Sequence, residues 1–192
     1  MKKTYFRAVR WCINILARTL SSVRLPYTRK KLSYDVVVRM LAVLKVGDVI
    51  VTRTLGEASS VAIPKYWKHS AMYVGEGRIF HAVVPKAKFD YLANLILRTD
   101  FAAIVRFGDD ALGQRAVQHI SDYEGVPYDT KMVLRKDRTV FCSEAIFHAL
   151  NKAAKAMLSI DEFLKPKRVL GYPTFTPNDL FESEEGEVVF KS

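Results

Sequence analysis

Cys142 stands in the segment FCSEAIF, after the short extended residues Val140 and Phe141 and ahead of Ala145, Ile146, Ala149 and Leu150, which share one helical face. That pattern predicts a helix beginning near Cys142. A cysteine at a helix N-terminus feels the positive end of the helix dipole, which favours thiolate over thiol. Free backbone N–H groups beside it can stabilise an oxyanion. A buried free cysteine is also a common core filler, so the residue needs partners before it reads as a nucleophile.

A nucleophilic thiol needs a base, and the base needs a third polar group to orient it. Two histidines offer themselves. His69 opens HSAMYVG and His81 falls in RIFHAVV, and Gly75-Glu76-Gly77 between them reads as a hairpin turn. The midpoint of 69 and 81 is residue 75, so the two imidazoles are expected as near cross-strand neighbours. One could then take the thiol proton while the other accepts its second N–H and fixes its tautomer. The other two histidines fit less well. His148 lies six residues after Cys142, about 600° around a helix, and pairs more naturally with Glu144 at i,i+4 on a solvated side. His119 borders an ordinary apolar stripe. Asp48, Arg53 and Glu144 could line a cleft, but strand-start, salt-bridge and helix-surface roles suit them better.

The elements that must position these groups follow from periodicity. Phe6, Val9, Ile13, Leu16 and Leu20 recur at helical spacing, with Lys3, Arg7, Arg10, Asn14 and Arg18 on the opposite side. This is a basic amphipathic helix, suited to packing on the domain with a solvated basic face or to lying on an anionic membrane. Ser21 to Lys31 reads as a linker, and Ser33 could cap a helix over Tyr34 to Leu44. Lys45 to Arg53 reads as a strand, Gly56 to Pro64 as a loop, Phe89 to Leu97 as a helix and Phe101 to Phe107 as a strand. Asp109 and Asp110 sit where an N-cap belongs, ahead of a stripe of Leu112, Ala116, Ile120 and Tyr123 that ends at Gly125. Thr176 or Asn178 caps one short turn near the end. Helices first, then mostly antiparallel strands with helices between, is an α+β pattern. The division expected is 1–44 for the N-terminal helices and linker and 45–192 for the catalytic domain.

Composition bounds the rest. The 192 residues are 49% hydrophobic and 26% charged, which is core material for one domain and excludes a disordered chain. The net charge of +10 and pI near 9.6 attract anionic partners: nucleic acid, acidic lipid or an acidic cell-wall polymer. Two cysteines, Cys12 and Cys142, make no disulfide scaffold, and no Cys/His cluster has zinc spacing, so neither metal nor cofactor is expected. A bridge between the two stays open, with a single catalytic thiol or a reducing compartment favoured over it. Arg7, Arg10 and Arg18 interrupt the N-terminal apolar stretch, so no secretory signal and no transmembrane helix is expected. A cytoplasmic or membrane-surface setting follows, with a phage-encoded enzyme as one version of it.

Several segments together resemble the YiiX/YebB-like permuted papain-fold enzymes, within the wider superfamily of NlpC-type cell-wall peptidases and lecithin:retinol acyltransferase-like proteins. They are His69-Ser70-Ala71-Met72-Tyr73-Val74-Gly75, Ile79-Phe80-His81-Ala82 and Phe141-Cys142-Ser143-Glu144-Ala145-Ile146. Gly47-Asp48-Val49-Ile50, Gly125-Val126-Pro127-Tyr128-Asp129 and Thr176-Pro177-Asn178-Asp179-Leu180 are similar to the opening strand, the segment before the nucleophile and the closing turn. The likeness runs roughly from Lys45 to Phe181. It implies a circularly permuted papain-like (NlpC-type) fold, an antiparallel sheet packed against helices, with the cysteine following the histidines instead of preceding them. It further implies Cys142 as nucleophile, His69 as general base, His81 as the orienting third member and Tyr128 as an aid to oxyanion binding. The chain departs from the pattern twice. His81 stands where many YiiX-like proteins have glutamate, and Phe141 where tyrosine or aspartate is usual.

The expected function is a cysteine hydrolase that cleaves an amide through a thioester, acting on cell-wall-type peptides. The first alternative is a lipid acyl hydrolase or acyltransferase, which the amphipathic helix and His81 favour. The second is a non-catalytic basic binding protein, against which an intact Cys–His–His set argues. The expected partners are a peptide or acyl-lipid substrate and an anionic polymer or membrane surface met through the basic N-terminal helix, with nucleic acid less favoured.

Overall fold

The computed structural model describes residues 31–56, 65–134, 139–169 and 171–192. The amphipathic helix over Phe6 to Leu20, Cys12, nearly all of the linker and most of the Gly56–Pro64 loop lie outside the described residues. The first helix, α1 (Tyr34–Val43), starts after Ser33 as expected, although the serine side chain makes no cap bond. The centre of the molecule is a six-stranded antiparallel sheet of order β4-β3-β2-β1-β5-β8. Its strands are β1 (Val49–Arg53), β2 (His69–Gly75), β3 (Arg78–Ala82), β4 (Ala87–Tyr91), β5 (Phe101–Phe107) and β8 (Gly186–Lys191). A separate two-stranded ribbon pairs β6 (Lys167–Val169) with β7 (Tyr172–Thr174).

Alternation along the strands explains how one sheet builds two cores. Val49 and Val51 of β1, Phe80 and Ala82 of β3, and Ala103, Val105 and Phe107 of β5 all join one cluster. Their neighbours Ile50, Ile79, Ala102 and Ile104 join the other. Successive side chains of a strand point to opposite faces, so a strand covered on both sides reads as a near-continuous apolar run. Against the first face pack α3 (Asp110–Ile120) and α4 (Cys142–Leu158), through Leu112, Ala116, Ile120, Ala145, Ile146, Ala149 and Leu150. The smaller second core takes Met40 of α1 and Leu92 of α2 (Leu92–Ile96).

Two sequence expectations fail locally. Phe89 to Tyr91 is the end of strand β4, paired residue for residue with β3 (Ile79 with Asp90, Phe80 with Phe89), and only Leu92–Ile96 is helical. Spacing of Phe89, Leu92 and Ile96 imitates a helix, but strand pairing along β3 decides the first part. The terminal strand β8, unforeseen, pairs with β5 and closes the sheet edge. Elsewhere the signals hold: β5 spans Phe101–Phe107, and Asp109 caps α3 by accepting a hydrogen bond from Leu112 N at 2.9 Å. Gly47, at φ +92°, lies so close to α3 that a Cβ there would stand 2.2 Å from Gly113 Cα. Only glycine permits that approach, and it sets β1 against the helix.

Candidate active site

Each half of the site is positioned by local structure. α4 begins at Cys142, with Phe141 as its N-cap residue. Phenylalanine has no side-chain oxygen, so only the reciprocal half of a capping box exists: Phe141 N donates to Glu144 Oε2 at 3.2 Å. The segment before the helix is tied to the Gly125–Asp129 turn, where Asp129 N donates to Val140 O and Val140 N to Pro127 O, both at 2.9 Å. Those bonds put Tyr128 beside the start of α4, in a parallel bridge with Val140.

Cys142 is a free, buried thiol. Its sulfur stands beside Ser70, the residue after His69, and Ser143, whose polar groups favour the thiolate. Ser70 Oγ, itself buried, meets no full hydrogen-bond partner, so we read it as a short-range dipole next to the sulfur and not as a formed bond. Burial pushes the Cys142 thiol up from its ordinary value, and the serine contacts offset that only in part. The helix start favours the thiolate, and burial of the sulfur opposes it. The Tyr128 phenol is pushed well above its ordinary value by burial first, then by the charges of Cys142 and Asp129. It stays protonated and able to donate.

The hairpin brings the two histidines together. His69 Nε2 and His81 Nδ1 are 3.1 Å apart, with the rings edge to face at a centroid separation of 5.2 Å. The register differs from expectation. Met72 pairs with Phe80 and Tyr73 with Ile79, with an irregularity before Gly75. Glu76 and Gly77 both have positive φ, so the turn is centred past residue 75 and the imidazoles meet on a diagonal instead of directly opposite. His69 is half-buried at the start of β2, whereas His81 is 8% exposed. Burial, then the neighbouring His69, brings the His81 pKa down to about 3, against the pull of Asp90. At neutral pH His81 is therefore uncharged, an acceptor or donor for His69 and a poor proton acceptor from solvent.

Residues given other roles in the sequence reading complete the frame. Asn178 accepts from Tyr66 N (3.0 Å) and Trp67 N (2.9 Å) and donates to Trp67 O (2.9 Å), clamping the approach to His69. Ser143 Oγ donates to Phe175 O at 2.5 Å, so the segment leading to the Thr176-capped helix α5 (Pro177–Phe181) holds the start of α4 as well. The Thr176-Pro177-Asn178-Asp179 run is the sequence signal for this, as a cap and as the likeness to the family's closing turn. Asp48 is a buried ion-pair partner of Arg106, at 2.7 and 2.8 Å, and Arg53 stacks over Tyr66. Glu144 is not on a solvated surface: it is 1% exposed, and the pair with His148 at 3.7 Å is partly enclosed.

A sequence profile of the permuted papain-like amidases, the YaeF/YiiX or C92 family, matches residues 43–190. The chain belongs to that family. It is accordingly an enzyme of the cysteine amidase and peptidase class with a permuted papain-like fold, and its α+β architecture agrees. No curated protein and no solved structure matches the chain. Among the described residues no helix is long and apolar enough to cross a membrane.

Proposed function

We propose that Cys142, His69 and His81 are the catalytic set of this amidase, and that it hydrolyses amide bonds in peptides of the cell-wall type. The supporting observations are the contact of His69 Nε2 with His81 Nδ1 at 3.1 Å and the placing of Cys142 beside Ser70, the residue that follows His69. His69 removes the thiol proton as the sulfur attacks the carbonyl carbon. General-base help in step with attack suits a thiol that burial keeps protonated. The oxyanion formed faces the first-turn N–H groups of α4 and the phenol of Tyr128. His69 then gives its proton to the departing amine, leaving a thioester on Cys142. A water molecule, deprotonated by His69, attacks that thioester, and the thiol is restored with release of the acid. His81 stays neutral throughout and holds the His69 ring.

The net charge of +10 suits an anionic polymer as the carrier of the peptide. A second reading, acyl hydrolysis or transfer at a lipid surface, draws on Tyr34, Val38 and Leu41, exposed at i, i+4 and i+7 along α1. Incubation with peptidoglycan-derived stem peptides and, separately, with anionic phospholipid vesicles distinguishes them. New amine termini from the peptides, without fatty-acid release, are expected. Fatty-acid release alone would replace the peptide reading with the lipid one.

A further inference from the structure

Beyond the three residues above, the chain of polar contacts continues. The cross-strand partner of His81 is Lys88, and Asp90 lies two residues further along β4, on the same face and diagonal to His81. Asp90 Oδ2 stands 3.6 Å from His81 Nε2, with the two side chains only 16% and 9% exposed. That nitrogen is buried and has no hydrogen-bond partner within ordinary distance. A buried ring nitrogen left unmatched is costly, and the Asp90 carboxylate beside it is a few tenths of an ångström beyond hydrogen-bond range.

Asp90 is itself held in place. Its Oδ1 accepts from Asn94 Nδ2 at 2.6 Å and Tyr91 N at 2.8 Å, and its Oδ2 from Lys88 Nζ at 2.7 Å. Oδ2 retains a lone pair for one more donor. Burial alone would raise the Asp90 pKa, but these three bonds outweigh it and hold the carboxyl well below the usual carboxylate range. The group facing His81 Nε2 is thus an anion. A lone pair on Nε2 would be repelled by it, whereas an N–H would be attracted.

We propose that Asp90 is a positioning residue for the histidine pair: its carboxylate accepts the His81 Nε2 proton and thereby fixes the tautomers of both rings. With the His81 proton on Nε2, His81 Nδ1 can only accept, so His69 Nε2 must carry the proton that bridges them. His69 Nδ1 then carries no proton and is the nitrogen that acts as base. The carboxylate transmits this order through two rings and touches no substrate. The inference rests on the catalytic reading only for its consequence; the tautomer of His81 stands apart from it.

The test uses the full chain with ring-¹⁵N histidine, as wild type, Asp90→Asn and Asp90→Ala, and reads each ring by NMR and Cys142 by its alkylation with iodoacetamide. The charged groups facing His81 are His69 from β2 and Lys88 and Asp90 from β4, so spectra are taken at neutral pH with Lys88 intact. In wild type the His81 proton is expected on Nε2 alone. Asp90→Ala is expected to give a mixture of Nδ1–H and Nε2–H forms and to slow alkylation about tenfold, the lower end of what loss of such outer partners costs. Asp90→Asn, which keeps the shape of the side chain, should fall between them and carries the test if the alanine variant does not fold. A single Nε2–H tautomer in every variant, with alkylation unchanged, would overturn the proposal. Wild-type turnover retained by Cys142→Ala would remove the catalytic reading instead, leaving the His81 tautomer result to stand or fall by itself.

Discussion

At the α4 end of the site Cys142 is held by main-chain bonds, through Val140 to the Gly125–Asp129 turn, and by Ser143 to Phe175 O. At the hairpin end, the two histidines on β2 and β3 meet each other at 3.1 Å, and Asp90 of the edge strand β4 stands 3.6 Å from His81 Nε2. The first arrangement fixes where the sulfur is; the second, in the tautomer order proposed above, sets which nitrogen carries a proton. Main-chain anchoring tolerates a change of side chain, whereas a chain of donors and acceptors fails when any member loses its partner. The two ends should therefore respond differently to substitution and to pH.

The sharpest contrast is within the histidine pair. His69→Ala should lower turnover by roughly a thousandfold, within the range that general acid–base groups supply. His81→Ala should cost less by about one to two orders of magnitude, because orientation is worth less than proton transfer. Measured kcat for both variants on one peptide substrate checks the ranking, and the reverse order would exchange their roles.

A smaller effect separates the two ends by pH. The His81 pKa is lowered by burial to about 3 in the folded chain, against an ordinary value near 6.5 when unfolded. Between those values the unfolded chain binds more protons, so stability is fully present above about pH 6.5 and drains away as pH falls towards 3. The loss should reach a few kcal/mol. Urea unfolding at pH 7 and pH 4.5 should show this fall in wild type and in Cys142→Ser, and a flatter response in His81→Asn. Equal slopes for all three would mean that His81 is not kept neutral by burial.

How much of this was legible in sequence follows the same division. Cys142 at a helix start, Asp109 as a cap and Phe101–Phe107 as a strand are local signals, and each held. The hairpin was also legible, but its register was not, because positive φ at Glu76 and Gly77 shifts the turn by about one residue. Asp90 was hidden inside a segment whose apolar spacing imitates a helix; only its pairing with β3 places it near His81. Asn178 was read as a cap because its bonds to Tyr66 and Trp67 cross 111 or more residues. The closing strand β8 follows the acidic run Glu182 to Glu185 and has exposed Val188, so its pattern is weak until β5 supplies the partner. Burial of Glu144 likewise comes from packing, which i,i+4 spacing does not reveal.

The central claim is that the sulfur of Cys142 carries the acyl group. Brief mixing with an activated acyl ester, acid quench and intact-mass analysis with peptide mapping tests it directly. Wild type should gain one acyl group located on Cys142, His69→Ala should gain it far more slowly, and Cys142→Ala should gain none. Acylation of Cys142→Ala at the wild-type rate would contradict the account.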